Sequence, residues 1–94
     1  MFNQVVLVGR LTNIEKLEEG ANIVLAVQRS FKNANGEYEA DMITCRTFGA
    51  VADNTAEYCK KGDIIGAKGR IQTEDDKLII VAEKITFLSS NSNK

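Results

Sequence analysis

The sequence predicts a small all-β domain: a five-stranded barrel with one short helix between the third and fourth strands. Three observations carry this. Five segments rich in β-branched and aliphatic residues show the period-two alternation of strands that cover a core on one side. One segment, residues 50–61, shows the 3.6-residue period of a helix instead. The 94 residues, 44% hydrophobic and 27% charged, suffice for one core and are too few for two.

Residues 2–11 (FNQVVLVGRL) read as the first strand, with Gly9 marking a kink or bulge. The polar TNIEKLEEG that follows is either a continuation of that strand or a loop closing at Gly20. Residues 22–31 form the second strand, with Ile23, Leu25 and Val27 facing inward. Strict alternation would also bury Arg29 and Phe31, so a bulge or an exit from the core is expected near residues 28–30. KNANGEY is a turn in which Asn35-Gly36 supplies the positive-φ pair that hairpins favour.

Residues 39–48 (EADMITCRTF) are the third strand, placing Ile43, Cys45 and Thr47 on one face and Met42, Thr44, Arg46 and Phe48 on the other. In the helix, Val51, Thr55, Tyr58 and Cys59 share one side, Lys60-Lys61 fall in the last turn and Gly62 caps it. Tyr58 is expected to plug the bottom of the barrel. Residues 63–73 are the fourth strand: Ala67, Gly69 and Ile71 point one way, Lys68, Arg70 and Gln72 the other. Gly66 and Gly69 there mark strong coiling, a bulge or close backbone approach. Glu74-Asp75-Asp76 is a tight, solvated acidic turn, residues 77–88 are the fifth strand, and residues 89–94 (SSNSNK) are expected to be disordered.

Composition excludes several functions. A net charge of −1 means that any nucleic-acid site is a local cationic face, not a uniformly basic body. There is no His, which removes the commonest general base and zinc ligand, and no spaced carboxylate cluster lies on a strand face. No catalytic constellation, metal site or cofactor is therefore expected. Cys45 and Cys59 lack CxxC spacing and read as free, partly buried thiols in a reducing compartment. The apolar run at residues 5–8 is too short for a signal peptide or membrane span, so a cytoplasmic location is the default.

Three strands, a helix and two strands is the element order of the oligonucleotide/oligosaccharide-binding barrel, although other folds share the count. The motifs narrow it. FNQVVLVGRLT, the QRSF element, the NG-E turn, EADMITCRTF, the helix ending in Y-C-KKG and the stretch GAKGRIQT, with its GR-x-x-T, follow one another in the order and spacing of the bacterial and phage single-stranded DNA-binding proteins. From Phe2 to Leu88 the chain resembles that family. It departs in three places: Met42 stands where Trp or Phe is usual, the hairpin after the fourth strand is shortened to TEDDK, and the chain ends in SSNSNK. In the family an acidic tip with a terminal Phe recruits replication and repair enzymes; SSNSNK has neither feature, so the resemblance implies either a chain without that role or one whose tail has been removed.

The resemblance implies sequence-nonspecific binding and protection of single-stranded DNA in replication, recombination or repair, through a cationic groove and aromatic stacking. The residues matching that task are Arg10, Arg29, Phe31, Lys32, Tyr38, Met42, Thr44, Arg46, Phe48, Lys68, Arg70 and Gln72. Basic and aromatic residues interleave among them, with acids largely confined to the turns and the Glu15–Glu19 loop. Phe48 alternatively caps the core, Phe31 anchors a loop and Tyr38 packs its own loop, while Phe2 and Phe87 suit the core or a subunit interface. The family also implies a homo-oligomer, a tetramer or alternatively a dimer, with no membrane partner. Two other readings share the fold: a restart factor like primosomal replication protein N, and a protein-interaction module.

Overall fold

The computed structural model describes residues 1–90. Its elements are β1 (Val5–Leu17), β2 (Gly20–Lys32), β3 (Tyr38–Thr47), α1 (Gly49–Tyr58), β4 (Ile64–Glu74) and β5 (Lys77–Ser89). The strands close a barrel in the order β1-β2-β3-β5-β4. All pairings are antiparallel except β3 with β5, which is parallel and limited to Cys45↔Ile80 and Arg46↔Val81.

Closure depends on β1 serving two neighbours. Residues from Val5 to Arg10 pair with β4, and residues from Arg10 to Leu17 pair with β2. The strand bends at the handover, where the β1–β2 register shifts between Leu11 and Asn13. Leu11 is fully buried at this elbow, its N–H donating to Asp63 O (2.8 Å) and its carbonyl accepting from Gly62 N (2.7 Å). The bulge is thus at Thr12 and not at Gly9. Gly9 instead permits close approach: a Cβ there would lie 2.7 Å from the Ala26 carbonyl. The polar stretch after residue 11 is a continuation of β1 as far as Leu17.

Leu11, Ile23, Leu25, Cys45 and Ile65 form the buried centre, with Ala67, Ala82 and Cys59 around them. The two buried threonines are satisfied: Thr47 Oγ1 donates to Ala21 O (2.9 Å) and Thr55 Oγ1 to Val51 O (2.7 Å). On β2 the expected disruption is present. The β2–β3 register shifts between Gln28 and Lys32, and Arg29 and Phe31 both face solvent. The β4–β5 turn is the tight acidic one expected, whereas the β2–β3 turn differs in chemistry from expectation. Of Asn35-Gly36 only Gly36 has positive φ (78°), and the Asn33 side chain organises the turn, Oδ1 accepting from the N–H groups of Asn35 and Glu37. The left-handed pair is Asp75 (53°) and Asp76 (66°), bracketed by the Glu74↔Lys77 pair.

Helix α1 ends earlier than its periodicity predicts. Lys60 and Lys61 lie beyond Tyr58, so they are not in its last turn, and Gly62 belongs to the following turn. Tertiary bonds outcompete another helical turn here. Asp63 Oδ2 accepts from Lys60 N (2.8 Å), while Gly62 is drawn to Leu11. The buried stripe is therefore Ala52, Thr55 and Cys59, and Tyr58, expected as the barrel plug, is 68% exposed. In β4 the inward set stops at Gly69, where a Cβ would lie 1.9 Å from Val81 O and the β4–β5 register shifts. Ile71, by parity an inward residue, is 40% exposed because the β4–β5 arm has by then left the core. Gly66, by contrast, has ordinary room for a Cβ. Phe2 and Phe87 are exposed and so are not core residues of this chain. Of the segment 89–94 expected to be disordered, Ser89 is the last residue of β5, and residues 91–94 lie outside those described. Among the described residues, no helix is long and apolar enough to cross a membrane.

Candidate nucleic-acid interface

Cross-strand register builds one continuous outer surface from residues distant in sequence. Asn22 of β2, Arg46 of β3, Val81 of β5 and Arg70 of β4 fall in a single row across four strands, with Val81 itself buried (4% exposed) beneath the two arginines' level of the surface. Farther along, Val24 pairs with Thr44, and Arg10, Ala26 and Met42 form another row. The alternation of β3 accounts for this face: Cys45 and Thr47 are buried, whereas Met42 (60% exposed), Thr44 and the half-buried Arg46 point outward. Phe48, 49% exposed, follows as the residue that opens α1. It borders a shallow hollow with Leu17, Glu18, Glu19 and Arg46.

Beyond their two shared pairs, β3 and β5 diverge and leave a hollow of about 380 Å³. Met42 and Thr44 line one wall; Ile71, Leu78 and Ile79 line the other. These three aliphatic residues are absent from the set chosen by sequence. The available signal was the unbroken run Leu78-Ile79-Ile80-Val81, which puts apolar side chains on both faces of β5, outer as well as inner.

A second cluster sits on the β2–β3 arm. Phe31 is 64% exposed, and Lys32 Nζ lies 5.7 Å from the centroid of the Tyr38 ring, its partner in the register. Arg29 is held by β3: Nε and Nη2 donate to the two carboxylate oxygens of Asp41 (3.1 and 2.8 Å), and Nη1 pairs with Glu39 (2.8 Å). The Asp41 hydrogen bonds raise the Arg29 pKa and hold that of Asp41 below its ordinary value. Arg10 Nη1 donates to Gly62 O (2.7 Å). Lys68 stands apart from β3, in a row between Val6 of β1 and Lys84 of β5.

Acids are not confined to the turns. Arg46 Nη1 pairs with Glu74 Oε1 (2.6 Å), while Nε donates to Asn22 Oδ1 (3.4 Å). Arg70 pairs with Glu83 of β5 (2.5 Å) and donates to Gln72 Oε1 (3.2 Å). Asp41, Glu39, Glu74 and Glu83 are all strand residues, so three of the candidate arginines, Arg29, Arg46 and Arg70, carry carboxylates supplied by the sheet itself. Cys45 and Cys59 are free and buried, without a place on this surface. Burial pushes the Cys45 thiol up to about 11; burial and then the charge of Asp63 raise that of Cys59.

A closed five-stranded barrel with its helix between β3 and β4, bearing this outer face, is matched from residue 2 to residue 87 by the single-strand binding protein family. The chain belongs to that family. Among its relatives is single-stranded DNA-binding protein B of Bacillus subtilis, 53% identical over 78% of this chain and 70% of that protein. Single-stranded DNA-binding protein 3 of Listeria innocua is 44% identical over 99% of this chain and 68% of that protein. Two solved structures share the fold. A small single-stranded DNA-binding protein from Mycoplasma pneumoniae superimposes with a TM-score of 0.73 at 23% identity, covering 90% of this chain and 92% of its own. The yeast mitochondrial protein Rim1 gives 0.77 at 18% identity, covering 99% and 100%.

Proposed function

We propose that this chain is a non-enzymatic, sequence-nonspecific binder of single-stranded DNA that coats and protects unwound strands in replication, recombination or repair in the cytoplasm. Its relatives carry the single-stranded DNA-binding name, and one observation on the molecule supports the reading above others. The outer face of β2, β3, β4 and β5 combines the arginines Arg46 and Arg70 with exposed Phe48 and Met42 beside an aliphatic hollow. An unpaired strand offers charge and π-faces, and this face offers a partner to each. The arm bearing Phe31, Lys32 and Tyr38 extends it. Arg10, Arg29, Thr44 and Gln72 supply further polar contacts, and Lys68 meets a strand that continues around the barrel.

The protein acts as a homo-oligomer in this reading, a tetramer or a dimer. Residues 5–8 pair with β4 on one side and have no β2 partner in the register on the other, which leaves an open strand edge. Val6 and Val8 are exposed along that strand, with Phe2 and Leu88 also uncovered. Fluorescence titration with oligothymidine at several salt concentrations tests the binding, and sedimentation of the free protein tests the assembly. Log affinity is expected to fall against log salt with a slope of about −0.7 per phosphate neutralised. Affinity indifferent to salt, or equal for duplex, would remove the assignment.

A further inference from the structure

Three arginines of the interface are already occupied by carboxylates in the free chain, and the Arg46 pair differs from the others. Arg29 and Arg70 are paired by acids of the adjacent strands β3 and β5. Arg46 is paired by Glu74, the last residue of β4, so the contact ties the far end of the β4–β5 arm to β3. Like the other two pairs it is a charge-assisted hydrogen bond, the kind a phosphate oxygen makes. Arg46 is also the most enclosed of the three arginines, 26% exposed at its side chain. Its Nε points at Asn22 Oδ1 (3.4 Å), so the Nη edge is the one turned to an anion, and Glu74 holds the Nη1 of that edge.

We propose that Glu74 is a carboxylate latch on the nucleic-acid interface. It takes the position of a phosphate on Arg46, holds the arm against β3, and is displaced when a strand enters. The inference rests on the reading of this face as a single-stranded DNA interface. An exposed pair is weak enough to be exchanged readily, so the latch tunes affinity without blocking the site.

The test is oligothymidine titration of the full chain beside Glu74→Gln and Asp75→Asn, which make the same change in net charge. Circular dichroism melts establish that each variant is folded. The latch predicts that E74Q binds up to about fivefold more tightly than the wild type, the range of one exposed ion pair, and gains more than D75N. Equal gains in the two variants reduce the effect to net charge and overturn the latch. Weaker binding by E74Q makes Glu74 a positioning residue for Arg46 and overturns it as well. Absence of binding in all three proteins overturns the interface reading and the latch with it, whereas wild-type binding with no gain in E74Q overturns the latch alone.

Discussion

Asn3 and Ile71 exchange two hydrogen bonds: Asn3 Nδ2 donates to Ile71 O (2.7 Å), and Ile71 N donates to Asn3 Oδ1 (2.9 Å). The side-chain amide thereby imitates a strand residue. It extends the β1–β4 ladder past Val5 and pins the chain start to the arm where β4 leaves the core. Both bonds are solvent-exposed, so each is at the low end of the usual net contribution.

Asn3→Ala is expected to destabilise the fold by about 1 kcal/mol, read as a lower urea midpoint with an unchanged slope. Asn3→Asp keeps the acceptor for Ile71 N–H but turns a carboxylate oxygen toward the Ile71 carbonyl, and is expected to be no better than Ala. An Asn3→Ala protein as stable as the wild type would show that water replaces the amide at no cost.

Cys45 supplies the pH dependence. Its folded pKa of about 11 lies above that of an exposed thiol, roughly 8.5, because burial penalises the thiolate. Its contribution to stability is therefore complete below about pH 8 and is lost as pH rises toward 11, since the unfolded chain ionises first. Cys59 shifts in the same direction. Between pH 8 and 10 the urea midpoint of the wild type should fall more steeply than that of Cys45→Ala, although the variant starts lower for want of packing. Parallel curves would mean that the thiol does not titrate as buried. Neither thiol reaches the interface, so a folded Cys45→Ala, Cys59→Ala double variant should bind oligothymidine as the wild type does.

How far the sequence reads this molecule depends on whether local pattern or tertiary geometry decides each feature. The parity of β3 was legible because Ile43, Cys45 and Thr47 alternate with polar or larger neighbours across a half-buried strand. The bulge on β2 was legible as a contradiction, since unbroken alternation would have buried Arg29. The end of α1 was not: Lys60, Lys61 and Gly62 make a good helix terminus by composition, yet Leu11 and Asp63, from elsewhere in the chain, claim those backbone groups. The ion pairs were illegible for a similar reason. Glu74 is far from Arg46 in sequence, and only the return of the β4–β5 arm toward β3 brings them together. The aliphatic hollow needed the divergence of β3 and β5, which no local period encodes.

Phe48 is where fold and function make opposite demands on one ring. It is half exposed, precedes α1 with extended backbone (φ −134°, ψ 156°) and makes no side-chain capping bond, so its replacement costs the helix no cap. Phe48→Ala is therefore expected to lose far less than the roughly 3–5 kcal/mol of a buried Phe truncation. If the ring stacks on a base, the same variant should lose about 1–3 kcal/mol of oligothymidine affinity, a factor of roughly 5 to 150 in Kd. Phe48→Leu separates stacking from simple apolar contact, because it keeps most of the volume and has no π-face. Phe48→Tyr keeps the ring and should bind nearly as the wild type. Calorimetric melting and fluorescence titration on the three variants read both quantities. Loss of stability with affinity intact would assign the ring to packing against Leu17, its neighbour across the shallow hollow, and remove it from the interface.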